Sequence, residues 1–154
     1  MSAAQPPARL ALEDGTVYPG LAFGAQTDRL GEVVFNTAMS GYQEILSDPS
    51  YAGQIITMTC PLIGNYGVNA DDNESGKPQA EGFLVRELSG LRSNYRAQDD
   101  LTGYLASAGV PGMEGLDTRA LTRKLRVAGV MRGILACAEA SRKLSDADLV
   151  DRAR

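Results

Sequence analysis

Apolar residues in this chain fall first into short, strand-length runs and only later into helical spacing. Leu10-Ala11-Leu12-Glu13 and Thr16-Val17-Tyr18 flank Asp14-Gly15, a strong signal for a two-residue hairpin turn. Leu21-Ala22-Phe23 continues the second arm, and Glu32-Val33-Val34-Phe35 reads as a short strand. Residues 41–46 predict one or two helical turns capped by Ser40, which stands three residues before Gln43 in capping-box spacing. Asp48 is placed to cap a further turn with Pro49 at its first position, where a missing N–H costs nothing. Residues 55–60 carry apolar side chains on both faces and predict a central strand. The polar, acidic stretch 69–78 predicts an exposed loop, and 82–88 another strand.

Helical spacing takes over after this point. Asp99 or Asp100 is expected to cap a helix with Leu101, Tyr104, Leu105 and Ala108 on one face, closed by Gly109. Asp117 should cap a second helix, running through Ala128 and closed by Gly129. Residues 130–138 read as a final strand and 145–154 as a weakly amphipathic helix. Strands early and helices late predict an α+β or mixed α/β fold, layered β/β/α rather than strictly alternating. The pattern contains no internal repeat and no low-complexity segment.

A length of 154 residues suits one domain with a core of its own. Histidine is absent, which decides more than any other count. No Ser-His-Asp or Cys-His arrangement can form within the chain, and the imidazole base is missing. Cys60 and Cys137 lie far apart in strand-like runs and are expected to be buried thiols rather than a disulfide or metal ligands. Glu13-Asp14 and Asp71-Asp72 are paired carboxylates in turns and are expected to be solvated, without the shifted pKa that acid/base work needs. Any chemistry done by this chain alone would have to rest on carboxylates, Lys, Tyr or Ser, and no metal site is expected.

Charge and hydropathy narrow the partners. A net charge of −4 argues against nucleic acid, which needs a basic footprint. No apolar run approaches the roughly 20 residues of a membrane span. The first fifteen residues contain only Arg9 as a cation and no apolar core of a secretory signal, so a cytoplasmic setting is expected. Arg119, Arg123 and Arg126 share one helix face at i, i+4, i+7, a faint mimic of a recognition helix. A solvated or salt-bridged face is the commoner meaning of such a row.

The stretch from Asn36 to Gly67 is dense in turn-setting residues, a sign that backbone atoms are being aimed. Within it, Ser50 follows Asp48-Pro49 in a turn of preset backbone. Its hydroxyl and N–H suit either a local turn bond or a ligand contact, the local bond being the more usual. Gln43 and Glu44 suit a cap and a solvated face better than a ligand. The segment 63–67, with Gly64, Asn65 and Gly67, is equally a binding loop or a tight corner.

The wording of the same stretch resembles one family. GEVVFNTAMSGYQEILSDPSY followed by GQIITMTCPLIGNYGVN is similar to the N-terminal domain of the small subunit of glutamine-hydrolysing carbamoyl phosphate synthetase. LEDGTVYPGLAFG resembles that domain's first hairpin, and LDTRALTRKLRVAGVMRG its late helix and strand, so the likeness covers about residues 10–139. The resemblance implies a three-layer β/β/α domain over 10–140, a flexible lead at 1–9, and a helical tail at 141–154 leading to a linker and an amidotransferase domain. The motifs of that amidotransferase domain do not occur in this sequence, so the chain is expected to be a domain fragment that does not hydrolyse glutamine alone. The family's serine of the DPSY motif, at Ser50 here, lines the glutamine pocket. Implied partners are the amidotransferase domain, the large subunit, and glutamine at the domain boundary. ATP and magnesium belong to the large subunit, and no cofactor is expected in this chain. The implied product, carbamoyl phosphate, feeds arginine and pyrimidine biosynthesis. A free-standing interaction module without catalytic context is the alternative class.

Overall fold

The structure, a computed structural model, describes residues 5–38, 42–60, 62–63, 77–88 and 95–154. Its strands are β1 (Pro7–Leu12), β2 (Val17–Gly24), β3 (Asp28–Asn36), β4 (Gln54–Met58), β5 (Leu62–Ile63), β6 (Gly82–Val85), β7 (Glu87–Leu88), β8 (Pro111–Glu114) and β9 (Met131–Ala136). Its helices are α1 (Tyr42–Ser47), α2 (Tyr95–Ser107), α3 (Thr118–Ala128) and α4 (Asp146–Ala153). Seven strands close into a barrel in the order β1-β2-β8-β6-β4-β3-β9, while β5 and β7 form a small parallel pair. The staves β3, β4, β6 and β8 run parallel to one another. The pairings of β1 with β2 and β9, of β2 with β8, and of β3 with β9 are antiparallel.

Two-residue alternation decides what each stave buries. Leu10, Leu12, Val33, Ile55, Leu84, Met113, Leu135 and Cys137 belong to one core cluster, the barrel interior, which Leu121 and Leu125 of α3 also enter. The outward residues Ile56, Met58, Phe83 and Val85 form a second cluster with Leu46 of α1 and Leu101 and Leu105 of α2. On the opposite wall Ala11, Ile134 and Ala136 meet Leu149, Val150 and Ala153 of α4. The mixed α/β character read from the order of elements holds, and so does the central position of β4. Closure of the sheet into a barrel goes beyond the layered arrangement expected.

Several local expectations need correction. The first hairpin closes through Leu12 N to Thr16 O (2.8 Å), so its loop holds three residues, Glu13, Asp14 and Gly15. Gly15 takes φ 101°, the left-handed position of a bulged three-residue turn rather than of a two-residue one. Strand β1 begins at Pro7 instead of Leu10, because β2 extends far enough to pair Pro7 with Leu21. Helix α2 begins at Tyr95, so Asp99 and Asp100 lie within it and do not cap it. Pro78, placed in an exposed loop by its polar neighbours, is buried.

The other caps follow their chemistry. Asp117 Oδ1 accepts from Ala120 N (3.0 Å) at the start of α3, and Gly129 ends it at φ 82°. Ser145 and Asp148 form a reciprocal capping box on α4. Strand β8 was not legible as a strand, yet it is buried between β2 and β6. Its Gly112 is required by packing, since a Cβ there would lie 2.6 Å from two carbons of the Phe23 ring.

Candidate functional site

Parallel staves β3 and β4 need a crossover outside the sheet, and the segment that makes it carries α1 and the turn containing Ser50. Pro49–Tyr51 form a single 3-10 turn with Asp48 as N-cap. Asp48 Oδ1 accepts from Ser50 N at 2.9 Å. Tyr51 N donates to Asp48 O (3.0 Å) and Ala52 N to Pro49 O (3.1 Å). The Ser50 N–H, and after it the Ser50 hydroxyl, hold the Asp48 carboxyl below its ordinary value. Ser50 itself is exposed. The local turn bond expected of it is present, on a side chain that also faces outward.

The turn is anchored at both ends. Tyr51 Oη accepts from Asn36 Nδ2 (2.9 Å), while Asn36 Oδ1 accepts from Ala38 N (2.8 Å) and Asn36 O from Thr59 N (3.1 Å). One asparagine thus ties the end of β3 to the Ser50 turn and to the exit of β4. Asn36 escaped the sequence reading. The signal that would have found it is an Asn directly after an apolar strand run, where its side chain can bond the backbone two residues on. At the other end Gly53, at φ 81°, gives its carbonyl to Glu32 N (3.1 Å). Gly31 must lack a side chain here, as a Cβ would sit 2.8 Å from Gly53 O. Gly53 also borders a groove of about 340 Å³ whose walls include Leu30, Glu32, Arg132 and Ala153.

The remaining candidates scatter. Glu44 is exposed, and the Gln43 side chain, Ser40, residues 64–67 and Asp71-Asp72 lie outside the described residues. Glu13 and Asp14 are anchors rather than merely solvated charges. Glu13 Oε1 accepts from Arg132 N (2.7 Å), and Asp14 pairs with Lys124 (2.8 Å). Burial pushes the Asp14 carboxyl up, but Lys124 and Thr16 outweigh it and hold it below its usual value. Cys60 is half-buried rather than buried, and Cys137 is buried. Burial pushes the Cys137 thiol up to about 12, so it stays protonated and unreactive at neutral pH. Arg119 and Arg123 are exposed, and the Arg126 guanidinium carbon lies 5.3 Å from the Phe35 ring centroid. Among the described residues no group of three or more His, Cys, Asp or Glu could hold a metal ion, and no helix is long and apolar enough to cross a membrane.

The barrel thus carries an exposed crossover turn whose backbone is held by Asn36, Asp48 and Gly53. Residues 10–135 match the family model described as carbamoyl-phosphate synthase small chain, CPSase domain. The chain belongs to the carbamoyl-phosphate synthase small chain family. The carbamoyl phosphate synthase small chain of Fusobacterium nucleatum subsp. nucleatum is 61% identical over 127 residues, 82% of this chain and 36% of that relative. That of Rhodopirellula baltica is 52% identical over all 154 residues, 39% of its own length. The pyrimidine-specific small chain of Bacillus subtilis is 54% identical over 131 residues, 85% of this chain and 36% of that one. The chain thus spans 36–39% of the length of these curated relatives. Among solved structures, an aminopeptidase from Aneurinibacillus sp. strain AM-1 aligns with 88% of the chain at a TM-score of 0.49 and 16% identity, a likeness too weak to bear on fold or function.

The Ser50 turn yields a direct prediction. Asp48→Ala removes the acceptor of the Ser50 amide, so that amide should exchange with solvent markedly faster, as read by NMR hydrogen exchange. Folding lowers the Asp48 pKa from 3.8, so the stabilisation is present above pH 3.8 and is lost as pH falls through the depressed value. Wild-type protein at that acidity should therefore approach the variant's exchange rate. Equal exchange in both proteins at neutral pH would show that Asp48 does not hold the turn.

Proposed function

We propose that this chain is the N-terminal domain of the small, glutamine-hydrolysing subunit of a carbamoyl phosphate synthase, and that it works by docking rather than by catalysis. The observation that carries the reading is the family match over residues 10–135, which takes in most of the barrel and the Ser50 crossover. In this reading one face of the domain meets the amidotransferase domain of the same subunit, and Ser50 reaches across that boundary to complete the glutamine pocket. An exposed serine on a backbone pinned by Asn36, Asp48 and Gly53 suits the task, since a contact positioned by rigid neighbours loses little entropy on binding.

Glutamine is hydrolysed to glutamate and ammonia in the amidotransferase domain. The ammonia passes to the large subunit, which joins it to bicarbonate at the expense of ATP and holds the magnesium that ATP requires. The product serves arginine and pyrimidine synthesis in the cytoplasm. In this reading the barrel and its helices over about 10–140 are the small-subunit domain, the lead is confined to the residues before β1, and 141–154 are the approach to the amidotransferase linker.

Reconstitution tests the proposal. The purified chain is combined with a separately expressed amidotransferase domain and large subunit, and glutamine-dependent carbamoyl phosphate formation is assayed. Activity that requires this chain is the expected result. A folded chain that neither binds nor restores activity would leave a free-standing interaction module instead.

A further inference from the structure

Between Thr118 and Arg132 the chain places five cations, Arg119, Arg123, Lys124, Arg126 and Arg132, and no carboxylate, although its net charge is −4. Lys124 is neutralised by Asp14, and Arg126 is laid over Phe35. Arg119, Arg123 and Arg132 form no ion pair among the described residues. Arg119, Arg123 and Arg126 share the outer face of α3, since Leu121 and Leu125 turn the other face into the core. Two apolar side chains stand beside them: Val127 is 91% exposed and Val130 56% exposed, on either side of Gly129.

Each feature alone is ordinary, because single exposed apolar residues and solvated cations need no explanation. Their combination differs. Arg119 and Arg123 stand on this face without an ion pair among the described residues, and the exposed valines supply an apolar centre for their guanidinia. Apolar anchors bordered by arginine are the composition of a protein–protein contact. A nucleic acid would engage the cations and gain nothing from the valines.

We infer that the outer face of α3 with the Gly129 turn is a docking surface for an acidic protein surface with an apolar centre, supplied by the synthase's large subunit. The identity of that partner rests on the function proposed above. The position fits, because α3 packs on the inner cluster that includes Phe35, whereas Tyr51 of the Ser50 turn packs against the outer cluster. Docking at α3 leaves Ser50 available to the amidotransferase domain.

The chain is titrated with purified large subunit by calorimetry at two salt concentrations. The Arg119→Glu/Arg123→Glu variant should bind on the order of 100-fold more weakly than wild type, and Val127→Ser about tenfold more weakly. Arg119→Lys/Arg123→Lys, which keeps the charge, should stay within about threefold. Every substituted side chain is exposed, so circular dichroism should remain native. Wild-type binding that the folded charge-reversed variant matches would overturn the docking surface and leave the proposed function standing. No binding by wild type would overturn both. Salt-steep binding to a short labelled DNA duplex, with none to the large subunit, would reassign the face to nucleic acid.

Discussion

Replacing Ser50 by alanine in the assembled synthase is expected to lower glutamine-dependent kcat/KM by about 10- to 100-fold, the loss of one hydrogen bond to a charged ligand group, and to leave ammonia-dependent synthesis unchanged. The structure makes this a clean substitution. The bond that holds the turn runs from the Ser50 backbone N–H to Asp48, and alanine retains it. Pro49 still presets the first position, and Tyr51 still meets Asn36. Only the hydroxyl is lost, from an exposed site, and with it the smaller part of the hold on the Asp48 carboxyl. Steady-state kinetics with glutamine and with ammonium salts separate the outcomes. Equal loss of both activities would mean that Ser50 acts on the assembly rather than on glutamine, and unchanged glutamine kinetics would remove it from the pocket.

Phe83→Ala should cost about 3–5 kcal/mol, a large share of the roughly 5–15 kcal/mol by which a domain is stable. Phe83 is fully buried on β6, between β4 and β8. Its ring packs in the cluster that joins the outer barrel wall to Leu101 and Leu105 of α2 and to Leu46 of α1. Alanine would leave a ring-sized void between the outer barrel wall and helices α1 and α2. Urea unfolding followed by circular dichroism measures the loss, and a change below about 1 kcal/mol would mean that the helices do not pack on β6 as described. Because Leu46 precedes the Ser50 turn in the same cluster, the variant should also raise the glutamine KM.

Much of this architecture was readable because its signals are local. Asp117 and Gly129 bracket α3 as a side-chain acceptor and a left-handed residue must. Asp48-Pro49 announced the turn that positions Ser50. The unread parts depend on partners distant in sequence. Pro111-Gly112 looks like a breaker until Phe23 is seen lying where a Cβ would go. Asp14-Gly15 suits both two- and three-residue hairpins, and the pairing of Pro7 with Leu21 selects between them. Asn36 acquires its role only when Tyr51 reaches back to it. The pairing of β9 with both β1 and β3 has no local signature, so closure of the barrel could not be foreseen. The Ser50 assignment drew its force from the family wording more than from its surroundings, since a capped turn on a crossover is common in proteins that bind nothing there.

Closure by β9 has a consequence for how the protein is made. Residues 131–136 form the stave between β1 and β3, and they leave the ribosome after every other strand of the barrel. Until they emerge, β1 and β3 each expose a bare edge of unpaired amides and carbonyls, the kind of edge that recruits other chains. Synthesis therefore passes through an interval in which nearly the whole barrel is present and none of it can shut. The length of that interval is set by where the last stave lies in the chain, and it ends in a single insertion that seals both seams at once.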